Sequence, residues 1–141
     1  VTADWTQVSV HALVGRYDDP FYLTLPTPQG HNTFPGGPVR HGEGIEDAVR
    51  RLLHDQLGVA VEEVDFRAVV EHTTPSGGSE LWFVFEVHLS NHDAQTASTA
   101  PGACWADDTD LRVLDVQPGR LRDAVADGTL ADRVWMPAPP R

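Results

Sequence analysis

The chain has 141 residues, 40% hydrophobic and 22% charged, which suffices for one packed domain and argues against a disordered tail. No apolar run approaches the roughly 20 residues of a membrane-spanning helix. The net charge is −11, the ten basic residues are all Arg, and no basic stripe gathers them, which argues against a nucleic-acid partner.

The absence of Lys and the abundance of Ala, Gly, Pro and Asp suit a GC-rich bacterial genome. Val1 to Val14 lacks a basic start followed by an apolar stretch, so no signal peptide is expected. Cys104 is the only cysteine and cannot form an internal disulfide, so a cytoplasmic setting is expected; as a lone Cys it is given no chemical role.

Val8 to Val14 alternates apolar and polar residues and reads as a half-buried strand, followed by a turn over Gly15 to Asp19 closed by Pro20. Phe21 to Leu25 reads as a second strand and Pro26 to Gly30 as a loop. His31 to Phe34 reads as a short strand, and Pro35-Gly36-Gly37-Pro38 is expected to exclude regular structure. The strongest helix runs from Gly44 to Leu57, with Ile45, Val49, Leu52, Leu53 and Leu57 at helical spacing, Glu46 and Asp47 in the first turn, and Gly58 as cap. Val64 to His72 and Leu81 to Leu89 read as a hairpin around Pro75-Ser76-Gly77-Gly78. Ser90 to Ala103 is polar and small and reads as a mobile loop. Cys104 to Ala106 follows as a short strand, Pro118 to Asp127 as a helix ended by Gly128, and Met136 to Arg141 as an extended tail. No repeat or boundary divides residues 1–141, and a helix between strands with a second near the end suits an α/β sandwich.

Within this order, Gly37 is followed after five residues by Glu43, and Glu43 after seven by Arg51. Leu53, Gly58 and Val59 then complete the pattern. The stretch resembles the Nudix box, G-x5-E-x7-R-E-U-x-E-E-x-G-U with U a bulky aliphatic. Phe34-Pro35-Gly36-Gly37, the Gly42-Glu43 pair, and Cys104-Trp105 followed by Asp108 to Leu114 and a last helix extend the resemblance along nearly the whole chain. It implies a Nudix-type α/β/α sandwich with a mixed sheet, Gly37, Arg51 and Gly58 as structural residues of the box, and Glu43 pairing with Arg51. It also implies a pyrophosphohydrolase of nucleoside diphosphates linked to another group.

The box is degenerate. Its three metal-binding Glu positions hold Leu52, Asp55 and Gln56 here. At helical increments these positions fall within an arc of about 100°, so three carboxylates there would converge on a hard, oxygen-seeking cation. With one carboxylate left, and that one a methylene shorter, weak Mg²⁺ or Mn²⁺ binding is expected, held by Asp55, Gln56 and a Gly36 or Gly37 carbonyl. Asp55, Gln56 and Glu43 are the catalytic candidates. His54 lies about 200° around the helix from Leu52 and points away. Between Ser90 and Ala103 the only further carboxylate is Asp93.

Other chemistry-bearing residues have plainer readings. Trp82, Phe83 and Phe85 are expected in the core, with 83 and 85 on one face and 82 on the other. Glu71 and His72 read as a surface pair. His88 and His92 have H-x3-H spacing, but on a strand end and a loop, which does not make a zinc site. No nucleophile elbow and no P-loop is present.

Three functions compete: a hydrolase with weakened metal-dependent activity, a nucleotide- or protein-binding module in the same cleft, and metal-free acid–base chemistry by Glu or His, favoured if Leu52 desolvates Asp55. The expected partner is a small phosphorylated or nucleotide-like molecule, whose charge would need a metal or local Arg. No membrane is expected, and a homodimer stays open.

Overall fold

The computed structural model of the protein describes residues 6–17, 19–74 and 76–138. Its elements are β1 (Gln7–Arg16), β2 (Tyr22–Pro26), β3 (Asn32–Thr33), β4 (Gly36–Pro38), α1 (Ile45–Leu57), β5 (Asp65–Thr73), β6 (Ser79–Leu89), α2 (Asn91–Ala97), β7 (Cys104–Ala106), α3 (Asp108–Val113), α4 (Gly119–Ala126) and β8 (Trp135–Met136). The parts of the expected turns and tail that fall on Asp18, Pro75 and Pro139 to Arg141 lie outside the described residues, as do Val1 to Trp5 of the N-terminal segment.

The sheet is mixed, in the order β3-β2-β1-β6-β5-β8. β1 runs parallel to β6 from Gln7 opposite Glu80 to Arg16 opposite Leu89, and β5 returns antiparallel along the far side of β6. Sitting in the middle, β1 is buried on both faces, with Val10, His11, Ala12, Leu13 and Val14 all at most 6% exposed. It is therefore not the half-buried strand that its alternation suggests, and it continues through Gly15 instead of turning there.

Both faces of the sheet carry helices. Val10, Ala12, Val14, Phe85 and Val87 pack against Val49, Leu52, Leu53 and Leu57 of α1 and Ala94 and Ala97 of α2. Leu13, Trp82 and Val84 pack with Phe34 against Leu111 of α3 and Leu121 and Ala124 of α4. This is the expected α/β/α sandwich. Helix α1 starts after Gly44 and ends at Gly58, whose left-handed backbone (φ 72°) lets its N–H close on the His54 carbonyl.

Two segments differ from expectation. Ser90 to Ala103 contains α2: the Ser90 hydroxyl accepts from the Asp93 N–H, and Ala94 and Ala97 are small enough to pack flat on the sheet. Pro35 to Pro38 contains β4, antiparallel to β1 with Ser9 opposite Pro38, Val10 opposite Gly37 and His11 opposite Gly36.

His11 is a buried polar residue on β1. Its Nδ1 donates to the Phe34 carbonyl at 2.9 Å, which fixes the tautomer because a carbonyl can only accept, and its ring stacks on Trp82 with centroids 3.6 Å apart. Burial holds its pKa down at about 4; the Phe34 bond opposes this and nearby His72 adds to it. The folded state thus keeps His11 neutral where the unfolded chain, with the ordinary value of 6.5, binds a proton. Stability from this site is full above that value and falls as pH drops from 6.5 towards 4, by an amount on the order of 3 kcal/mol. In His11→Phe, which keeps an aromatic ring against Trp82, urea unfolding at a series of pH values should show a shallower loss of stability across that window than the parent. Equal slopes would contradict the buried neutral histidine.

Candidate functional site: the box cleft

The cleft begins at β4. Pairing with β1 uses the groups on one side of this strand, as in the bonds from the Ala12 N–H to the Pro35 carbonyl at 2.8 Å and from the Val39 N–H to the Val8 carbonyl at 3.0 Å. The N–H and C=O of Gly36 point the other way, along an edge with no further strand. Gln56, in the last turn of α1, takes both: the Gly36 N–H donates to Oε1 at 3.0 Å and Nε2 donates to the Gly36 carbonyl at 2.8 Å. One side-chain amide thus does the work of a neighbouring strand. Gly36 approaches β1 so closely, at φ 155°, that a Cβ there would sit 2.0 Å from the Val10 carbonyl oxygen.

The turn between β4 and α1 is held by Glu43 and Arg51. Arg51 Nε donates to Oε2 at 2.8 Å and Nη2 to Oε1 at 2.9 Å, while the Arg40 N–H also donates to Oε1. Arg51 Nη2 further reaches the Pro38 carbonyl, tying α1 to the end of β4. The hydrogen bonds from Arg51, then that from Arg40, hold the Glu43 pKa down at about 2, and Glu43 in turn raises that of Arg51. Glu43 is thereby occupied as a fastener, and its oxygens are already bonded to cationic and amide donors.

The helix face expected to carry metal ligands is mostly apolar or occupied. Leu52 is buried, and its Cδ2 lies 3.3 Å from where a Cβ on Gly37 would stand. Asp55 is exposed, with 56% of its side chain open to solvent, and its Oδ1 lies 3.6 Å from His54 Nδ1. Leu52 does not shut Asp55 away from water. As donors for a hard cation, the Gly36 carbonyl already accepts from Gln56, Leu52 has no oxygen to offer, and Asp55 stands alone. Among the described residues no three His, Cys, Asp or Glu side chains gather as a metal-binding group.

The remaining candidates lie elsewhere. Asp93 lines a separate groove with Glu62, Glu63 and His88. Glu71 does not pair with His72; it accepts from Trp135 Nε1 at 2.6 Å, and His72 meets the edge of Trp82. His88 stacks on Tyr17 and lies 3.7 Å from Glu86, while His92 sits on α2. One polar cluster has no signal in the sequence: Tyr22, Arg67 and Glu86, separated by up to 64 positions, converge where Tyr22 Oη donates to Glu86 at 3.0 Å and Arg67 bonds the same carboxylate at 2.7 Å. Burial, then Glu86, raises the Tyr22 pKa to about 12.

The chain belongs to the Nudix family: the family's NUDIX domain model matches residues 6–130. That family generally uses divalent metals such as Mg²⁺ or Mn²⁺ and binds nucleotide-like substrates. Among solved structures, a MutT NUDIX hydrolase from Burkholderia pseudomallei is similar at 24% identity and a TM-score of 0.68, over 84% of this chain and 96% of that one. A NUDIX hydrolase from Nitrosomonas europaea is similar at 20% identity and 0.71, over 94% and 93%. NrtR of Shewanella oneidensis, also solved with a 27mer DNA, is similar at 19% identity and 0.70, over 89% of this chain and 64% of that one. At these identities the likeness is one of fold. No curated protein matches the chain.

Two outcomes follow from the site's geometry. Gly36→Ala should destabilise the domain by about 3 kcal/mol or more, because its Cβ would meet backbone that cannot move aside without breaking β1; a thermal melt within a degree or two of the parent would contradict the close approach. Glu43 is held charged in the fold to about pH 2 against an ordinary value of 4.5, so its stabilising contribution is present above 4.5 and is lost as pH falls towards 2. Glu43→Gln should therefore lower the melting temperature at neutral pH and narrow the gap to the parent as pH drops through that window. A gap that stays constant with pH would show that the Glu43 charge is not what the pairing uses.

Proposed function

We propose that the protein is a Nudix-family member that binds a nucleotide-like molecule in the box cleft, with metal-dependent hydrolysis weakened or lost. The observation that carries this reading is the Gln56–Gly36 amide pair. An ion at the Gly36 carbonyl would share that oxygen with the Gln56 N–H already bonded there, and would gain one exposed carboxylate, Asp55, beside it. Magnesium sites depend on several convergent oxygens, so this donor set fits such an ion poorly. The resemblance implies a nucleoside diphosphate linked to another group as the ligand class. Two comparisons support ligand binding as the retained property: the family's nucleotide-like substrates, and the presence among similar folds of a protein crystallised with DNA, NrtR. The charge of −11 on this chain weighs against DNA as its own ligand.

The test rebuilds the missing ligands. Leu52→Glu with Gln56→Glu places three carboxylates on one face of α1. Without metal, the double variant should lose about 2–4 kcal/mol of stability, since it buries a carboxylate where Leu52 packs and sets another against the Gly36 carbonyl. Mn²⁺ should restore part of that loss and bring release of phosphate from ADP-ribose or nucleoside triphosphates after phosphatase coupling, neither of which the parent does efficiently. A parent that hydrolyses these compounds rapidly would overturn the proposal. A folded double variant that neither binds Mn²⁺ nor hydrolyses would mean that the cleft has diverged beyond these two positions.

A further inference from the structure

Gln56 also lines a groove of about 350 Å³ between the β2–β3 connection, β4 and the turn after α2. That size lies at the lower end of the usual range for small-molecule sites. Its walls include Pro26, Pro28, Pro35 and Pro101, with Thr27 and Thr33 between them, and no lining residue carries a charge. The groove is firm on one side: the turn at Gly102 comes so close to Pro26 that a Cβ would stand 2.5 Å from the proline ring. Thr27 and Thr33 spend their hydroxyl protons on the His31 and Gln117 carbonyls, which leaves their oxygens able only to accept. Gln56 keeps one N–H and one oxygen lone pair beyond those given to Gly36.

Such a lining is ill suited to a polyphosphate. Arg51, the cation of the box, is already held by Glu43, Asp55 adds a negative charge in the position next to Gln56, and the whole chain is acidic. Proline rings and a half-used amide suit a flat ring with hydrogen-bonding edges. We infer that the Gln56–Gly36 pair stands in place of a cation and that the groove beside it selects an uncharged ligand of the nucleoside kind over its phosphorylated forms. This rests on the reading that the cleft binds without efficient hydrolysis, and it replaces the diphosphate-linked ligand class that the resemblance implies with the bare nucleoside.

The experiment compares adenosine, guanosine, cytidine and thymidine with their 5′-diphosphates by calorimetric titration of the parent protein, in EDTA and again in Mg²⁺. At least one nucleoside should bind about tenfold or more tightly than its own diphosphate, with an affinity that does not change between EDTA and Mg²⁺. Pro28→Arg, a change at an exposed rim position, should narrow or reverse that preference by supplying the missing cation. Diphosphates that bind the parent as tightly as the nucleosides, or an affinity that needs Mg²⁺, would overturn the inference and leave nucleotide binding standing. No nucleoside binding up to about 5 mM would also overturn it. Hydrolysis of the diphosphates during titration, seen as released phosphate, would instead strike at the binding-only reading on which it rests.

Discussion

Strand β4 meets β1 with no room for a side chain at Gly36, and this close approach sets the terms for the cleft. The N–H and C=O of Gly36 face outward there, at a half-buried edge where each needs a partner. A helix ending nearby can supply those partners in more than one way. In this chain Gln56 supplies both with a single neutral amide. The Gly36 carbonyl is thereby shared with an N–H donor, by one of the same two hydrogen bonds that hold β4 to α1.

One set of side chains fastens the box, and another face of α1 carries Leu52, Asp55 and Gln56. The fastening parts are intact: Gly58 closes the helix, Leu53 is buried beneath it, and Arg51 grips Glu43 and the Pro38 carbonyl. These contacts hold the loop to the helix alongside the Gln56–Gly36 pair. Leu52 adds to that scaffold by packing against Gly37, where a carboxylate would be buried.

Much of this was legible in the sequence, and the misses have physical causes. Helical periodicity and Gly58 located α1 and its cap, and the resemblance to the Nudix box implied the Glu43–Arg51 pair. β4 was hidden because two prolines flank it; they are tolerated since the strand pairs on one side only and over few residues. α2 was hidden because Ala, Ser, Thr and Asn carry little periodic signal, although Ser90 and Asp93 stand at capping distance. The burial of both faces of β1 followed from its central place in the sheet, which local alternation cannot report. That Leu and Gln stand at positions 52 and 56 was plain to read, but that Gln56 would turn its amide onto Gly36 needed the tertiary fold, because the partner lies 20 positions away.

Nuclear magnetic resonance of the ¹⁵N-labelled protein watches the Gly36–Gln56 contact itself in solution. The Gln56 side-chain amide should show one proton shifted and protected from exchange, and Mn²⁺ should not broaden the Gly36, Asp55 or Gln56 signals selectively beyond its effect at other exposed carboxylates. Early and selective loss of those three signals at substoichiometric Mn²⁺, with the Gln56 protons exchanging freely, would contradict this by showing that the amide yields the Gly36 carbonyl to an ion.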